Sequence, residues 1–433
     1  MHLTIRARLL RTLVLALAVL LALLGAAAAE QLSAYRDAAA AAANARLSAT
    51  LQGLVHALQK ERGPTTGYLG GARQFRAALP ARRRATDAAR ARLAEALRGR
   101  DGTAAASVRA TLPRLDVLTE VRRRTDDGSG TAAEAFDGFT AAITALDRPG
   151  LGLDDARDSR LRAACQALRS LGRAKEFTGE EHALVLGSAA AGRFRADGYL
   201  RFLGLRAGRL AALDDFTLSA TAAQRRWLDA ALAAPAAVRT LGYENAALHG
   251  GGRIGPHGVT PESRWKSADS ALDGLRTVQL SLGRDVEDRA AGLEGAARRA
   301  LVLFALFALG TVTALGRLAL DCVRAVSTPL VQLAAQTRET AGIRLPLTLA
   351  TVQHRGPGRT PPPEPLAVPG RAAPEVLQVA AAFDRVQRLA YDLAVEQAVL
   401  RRDTARAAAG KRGRDIPGPR RAGRLDVRER EDA

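Results

Sequence analysis

The chain has 433 residues, 64 Lys and Arg against 44 Asp and Glu, a formal net charge of +20, and only 4% aromatic residues. A positive balance raises nucleic acid as a partner, but no basic patch interleaved with aromatics and no DNA-binding motif accompanies it, so nucleic acid is excluded. Two cysteines give no disulfide framework. The histidines and cysteines form neither HxxxH nor CxxC spacing, so no metal centre and no cofactor is expected.

Residues 1–11 carry Arg6, Arg8 and Arg11 ahead of an uncharged Leu, Ala and Val run at 12–29. A membrane span needs about 17–25 mostly apolar residues. The arginine flank puts residues 1–11 in the cytoplasm by the positive-inside rule. The competing account is a cleaved signal peptide, since Ala27-Ala28-Ala29 also reads as a cleavage site.

Residues 30–299 are dominated by Ala, Leu and Arg, with apolar residues recurring at three and four positions, the pattern of packed helices. Helix breaks are expected at Gly63-Pro64, Gly70-Gly71, Pro113, the 126–130 stretch, Arg148-Pro149-Gly150, Pro235 and 250–261. Six to eight helices result, too many residues for one core, so two stacked four-helix bundles form an elongated extracytoplasmic domain. Its last helix runs from about Arg264 through Leu272, Leu275, Val278 and Leu280 into a second apolar run at 300–316, between Arg299 and Arg317. A buried core helix is the alternative for that run, but its flanks favour a second span. Both termini are then cytoplasmic, and Cys165 and Cys322 lie on opposite sides of the membrane.

Residues 317–402 read as helix, connector, helix. The first helix opens at Ser327-Thr328-Pro329-Leu330, with Leu330, Leu333 and Ala334 on one face. A non-helical connector containing His354, Gly356-Pro357-Gly358 and Pro361-Pro362-Pro363 follows. The second helix starts at Pro374-Glu375, with Val376, Val379, Ala380, Phe383 and Val386 as its stripe. Residues 403–433 form a basic tail, without regular structure from Ala405 onward.

The segment Leu58-Gln59-Lys60-Glu61-Arg62-Gly63-Pro64 resembles the LQxERG-like signature of the nitrate- and nitrite-sensing (NIT) domain family. Ala174-Lys175-Glu176 through Glu181-His182-Ala183 resembles that family's second conserved segment, and the likeness spans about residues 30–300. The cytoplasmic part is similar to a HAMP linker, and Glu396 to Arg401 to the entry of a sensor histidine kinase. The resemblance implies nitrate or nitrite as ligand, a homodimer, and a two-component signalling context.

Arg62 lies in phase with Leu51, Leu54, Val55 and Leu58, so it should point into the bundle. A guanidinium held there must meet an anion or keep a path to water. Its planar fork suits nitrate as it suits a carboxylate. The structural alternative is an ion pair with Glu61 or another carboxylate. Lys175 follows the apolar face of Leu161, Ala164, Leu168 and Leu171 and could bring a second cation, against a lysine that snorkels to solvent. His182 stands where the family places arginine, which would make anion binding weaker or pH-dependent. Arg173 is an outer candidate, more readily read as solvated. Glu176, Glu180 and Glu181 are read as a solvated face and not as acid–base catalysts.

These readings converge on a two-span receptor that senses a small anion, without a catalytic centre of its own. Neither a phosphoacceptor histidine on a helix nor a Gly-rich nucleotide loop is expected. The signal would pass by contact to a separate or mixed-dimer histidine kinase. Two rivals are a truncated or frame-altered kinase and a partner-docking rod that binds no small ligand.

Overall fold

The computed structural model describes residues 5–149, 151–153, 156–254, 259–322, 324–325, 328–355, 361–369 and 372–412. All regular structure among them is helical apart from one isolated bridge between Arg193 and Arg253. Two compact units partition the chain, Gly25–Ala305 and the pair Met1–Leu24 with Leu306–Ala433.

The larger unit is built from the part of α1 (Ile5–Leu69) after Leu24, α2 (Leu79–Leu97), α3 (Thr103–Thr111), α4 (Val117–Asp126), α5 (Ala132–Asp147), α6 (Ser159–Ser188), α7 (Ala196–Ser219), α8 (Ala222–Leu232), α9 (Pro235–His249) and the part of α10 (Pro261–Cys322) before Leu306. Ten helices therefore replace the expected six to eight. The additional ends fall at residues 98–102, 189–195 and 220–221. The last is an N-cap: Thr221 and Gln224 form a reciprocal capping box, as Thr131 and Glu134 do at the start of α5. Each box satisfies two orphan amide groups of its helix.

The break expected at Gly63-Pro64 is absent, since α1 runs through Pro64 to Leu69. Thr65 Oγ1 donates to the Glu61 carbonyl at 2.8 Å, and Thr66 Oγ1 to the Arg62 carbonyl at 2.9 Å. Both residues after the proline thus back-bond to the preceding turn while α1 continues. Pro113 and Pro235 do mark ends, the former in a 3₁₀ turn (Leu112–Asp116) and the latter at the first position of α9. Gly150 and residues 255–258 of the expected breaks lie outside the described residues.

Among the described residues of this unit the two largest apolar cores lie along α1 and α6. One packs Leu47, Leu51, Leu54 and Leu58 of α1 against Leu93, Leu115, Phe139 and Ile143. The other packs Leu161, Leu168 and Leu171 of α6 against Phe216, Leu275, Val278 and Leu282. Ala42 and Ala45 tie α1 into this second core as well. Helices α1 and α6 approach so closely near Gly70 that a Cβ there would sit 2.1 Å from the Gly187 carbonyl oxygen. Only glycine fits that crossing.

Both α1 and α10 contain stretches long and apolar enough to cross a membrane. Their leucines are bare: Leu15, Leu23, Leu303 and Leu309 are each more than 60% exposed. Helix α10 runs from the helical core into its apolar stretch without a break, as the sequence predicts.

The smaller unit holds α11 (Thr328–Glu339), a π turn (Thr340–Arg344), α12 (Leu345–Arg355) and α13 (Pro374–Arg412). The expected connector is thus shorter, because helix continues to Arg355 and takes in His354. Residues 361–369 are non-helical as expected, whereas 356–360 lie outside the described residues. The tail expected from Ala405 is helical up to Arg412, and 413–433 lie outside the described residues, as do Ser327 and the side chain of Cys322. A small core of Leu333, Val376 and Ala380 closes over Leu366 and Val368.

Candidate functional site

Arg62 is fully buried, as its register on α1 predicts. Its Nη1 donates to Glu176 Oε1 of α6 at 2.6 Å and to Thr140 Oγ1 of α5 at 3.0 Å, with Glu180 Oε1 at 3.8 Å. Phe136 lies 5.6 Å from the guanidinium carbon. The other edge of the fork is unmet, since neither Nε nor Nη2 has a hydrogen-bond partner. Gly179 makes room for that edge, because a Cβ there would come within 2.9 Å of Nη2. Two parallel N–H groups on one edge are the donor pair that a planar oxyanion accepts.

Lys175 is buried and does not snorkel to solvent, a correction to the reading of it as a surface lysine. The periodicity of α6 had it in phase with the core, and α1 and α10 cover it. Its Nζ donates to Gln59 Oε1 at 2.5 Å, and Gln59 Nε2 donates to Glu176 Oε2 at 2.6 Å. A hydrogen-bonded chain therefore runs Lys175, Gln59, Glu176, Arg62. Burial, with Arg276 adding to it, pulls the Lys175 ammonium down to about 7.

Around Lys175 the positive charge is only partly neutralised. Burial pulls His56 down to about 4 although Asp273 lies 3.4 Å away. Lys60 holds Asp269 and Asp273 of α10, each at 2.7 Å. Against the pull of burial, His56 and Lys60 bring Asp273 down to about 2. Arg276 donates to Gln279 at 2.8 Å, and Gln279 donates in turn to Gln52. Helices α1, α6 and α10 thus meet across a polar layer whose charges are not matched one for one.

The glutamates of α6 contradict the solvated-face reading. Glu181 is completely buried and Glu180 nearly so. They are inside because α6 is covered on several sides, which its sequence pattern does not announce. Burial, reinforced by Glu176 and opposed by Arg62, raises Glu180 to about 7. Burial and the neighbouring Glu244 raise Glu181 to about 8 against Arg209 and Arg206.

His182 is not joined to the Arg62–Lys175 chain. Its Nε2 faces Glu244 Oε1 of α9 at 3.6 Å. Glu61 is buried but turns from Arg62 to Arg122 of α4, which grips both its oxygens at 2.8 Å. The Arg62–Glu61 pair weighed from the sequence does not form. Arg173 is half-exposed and bound to Asp215 of α7 at 3.0 Å, as its solvated reading predicts. The structure thus unites Arg62 with Lys175 and separates His182, Glu61 and Arg173 from them. Gln59, Gly179, Thr140 and Arg276 were missed. Gln59 and Gly179 stood inside the recognised segments, while Thr140 and Arg276 carried no local signal.

Comparisons with known proteins bear on this layer. No curated protein matches the chain. A solved structure described as the NasR transcription antiterminator matches with a TM-score of 0.54 and 20% identity, covering 86% of this chain and 95% of that one. At that identity the likeness is one of fold. The family of nitrate and nitrite sensing domains, NIT, matches residues 53–287, which is 235 of the 433 residues and includes every residue of the buried layer except Gln52. The chain belongs to the NIT family of nitrate- and nitrite-sensing domains.

Proposed function

We propose that the protein is a two-span membrane receptor that binds nitrate or nitrite on the unmet Nε–Nη2 edge of Arg62, inside the layer between α1, α5 and α6. The observation that carries the reading is this fully buried guanidinium with the donors of Nε and Nη2 unused. Leaving such donors unpaired costs a folded protein on the order of 1–3 kcal/mol each, a penalty that a bound anion removes. Lys175, linked to Arg62 through Gln59 and Glu176, supplies further positive potential. His182 acts elsewhere.

The exposed leucines of α1 and α10 support two spans, with residues 30–299 outside and both termini cytoplasmic. Asp269, Asp273 and Arg276 put α10 in the same polar layer as Lys60 and Lys175, and α10 continues into its apolar stretch. A coupling free energy of about 1–3 kcal/mol suffices for such a switch. The helices α11 to α13 serve as a HAMP-like relay. Val379, Val386, Leu393 and Leu400 recur every seven residues on α13 and are each more than half exposed, which suits a parallel homodimer. The chain acts through a partner, a separate or mixed-dimer histidine kinase, and not as an enzyme.

Titration calorimetry of the full chain in lipid nanodiscs tests the reading. Nitrate or nitrite binds to the wild type, whereas chloride does not compete. Arg62→Lys, which keeps the charge but loses the fork, weakens binding by at least about tenfold. Equal affinity in wild type and Arg62→Lys would remove Arg62 from the site.

A further inference from the structure

A cavity of about 210 Å³ is lined by residues of α6, α7, α8, α9 and α10. Leu213 of α7, Ala231 of α8, and Ala271 and Leu275 of α10 form apolar walls. Its mouth is greasy, with Leu210, Leu232 and Leu241 each more than 40% exposed. At its polar end stand His182, Arg206, Arg209 and Glu244. An engineered apolar cavity of about 150 Å³ accommodates benzene, so this one has room for a ring and a short head group.

The polar end is built for more than packing. His182 is 95% buried by side-chain exposure of 5%, yet neither ring nitrogen has a hydrogen-bond partner. Arg206 Nη1 and Arg209 Nη1 donate to Glu244 at 3.2 and 3.3 Å, and Arg206 Nη2 donates to Asn245 Oδ1 at 3.0 Å. Glu244 is held below the usual carboxylate range, against the pull of burial, by His182 and Arg209. Glu181, behind Arg209 at 3.1 Å, has neither oxygen hydrogen-bonded. Two guanidinium groups therefore face Glu244, which favours its charged form, and Glu181, which favours its neutral form. The balance leans positive, and the His182 imidazole, 3.6 Å from Glu244, is left without a hydrogen bond.

We infer that this cavity binds a small amphiphilic monoanion, a carboxylate carrying a compact ring or branched alkyl group, with its head between His182 and Arg206 and its tail between Leu213 and Leu275. A bare inorganic anion would leave the apolar walls empty, and a neutral apolar molecule would leave the imidazole and the excess positive charge unmet. The site is distinct from the Arg62 layer and does not rest on the nitrate reading. Ala174 of its wall is the neighbour of Lys175, so occupancy bears on the same stretch of α6.

The test uses the full chain in nanodiscs with benzoate as probe and acetate and benzyl alcohol as controls, followed by calorimetry and by the imidazole resonances of His182. Benzoate binds and moves the His182 signal, while acetate, without the ring, and benzyl alcohol, without the charge, bind at least about tenfold more weakly. Arg206→Gln weakens benzoate and leaves benzyl alcohol unchanged. Ala271→Phe fills the cavity and abolishes benzoate binding while nitrate binding persists. Should Ala271→Phe fail to fold, Ala231→Leu fills the opposite wall with the same expectation. No movement of the His182 resonance with benzoate, unaltered binding in the filled variants, or displacement of benzoate by nitrate would each overturn the proposal.

Discussion

Replacing Lys175 by methionine removes a charge that the fold holds at a loss. The ammonium sits at about 7 instead of its ordinary 10.5, with burial as the main cause. At about 1.4 kcal/mol per tenfold change this corresponds to on the order of 4–5 kcal/mol. Methionine matches the stem and loses only the hydrogen bond to Gln59, which is worth about 1 kcal/mol net. The ligand-free variant should therefore gain about 2–4 kcal/mol near neutral pH. A lysine whose folded pKa is lowered destabilises the fold in full below about 7. Between about 7 and 10.5 the unfolded chain holds the proton and the folded one does not, so wild-type stability rises with pH across that window. The gain from methionine shrinks accordingly. Urea denaturation of Gly25–Ala305, a compact unit of its own, at pH 6.5 and 9.5 measures both quantities. A variant less stable than wild type at pH 6.5, or a gain that does not shrink by pH 9.5, would refute the assignment of Lys175 as a strained buried cation.

Nitrate binding near Lys175 and Glu180 should draw in protons, because an added anion raises the pKa of both groups, which sit at about 7. Calorimetry of nitrate binding at pH 7.5 in buffers of different ionisation heat reads this uptake, and a buffer-independent heat would contradict it. Gly179→Ala should weaken nitrate by at least about tenfold, since the new methyl group crowds Arg62 Nη2, with thermal melting as the check that the fold survives. Arg122→Ala strands the completely buried Glu61 and should cost about 3–5 kcal/mol in denaturant unfolding. Glu61→Gln in the same chain should recover part of it. Glu181→Gln should leave stability nearly unchanged at pH 5 and raise it at pH 9. The folded state favours the protonated carboxyl, so wild type loses stability as pH climbs from the ordinary carboxylate range to about 8. Equal melting shifts at the two pH values would count against a neutral Glu181.

The helical class and the long α10 were legible in the sequence because Ala- and Leu-rich periodicity leaves little else to form. The inward aim of Arg62 was legible for the same reason, from Leu58 one turn away and Leu54 two turns away. What periodicity cannot report is how many sides of a helix are covered. Glu180 and Glu181 look solvated on α6 taken alone, and only the arrival of α7 and α9 puts them inside. The separation of His182 from Arg62 has the same origin: both sit in recognised segments, but Arg62 leaves α1 toward Thr140 of α5 whereas His182 leaves α6 toward Glu244 of α9. Pro64 misled in the opposite direction, since α1 continues through it to Leu69.

The unbroken course of α10 has a geometric consequence of its own. Asp273, gripped by Lys60, and Arg299 are separated by about 40 Å of helix at 1.5 Å per residue. If α10 pivots near Asp273, a tilt of about 2° becomes a displacement of about 1.4 Å at Arg299 over that helical length. The helix is then a lever with a short arm in the polar layer and a long arm toward its apolar stretch. Gearing of this kind depends on phase as well as length. One residue inserted between 287 and 299 turns everything downstream by about 100°, whereas seven restore the original facing to within about 20°.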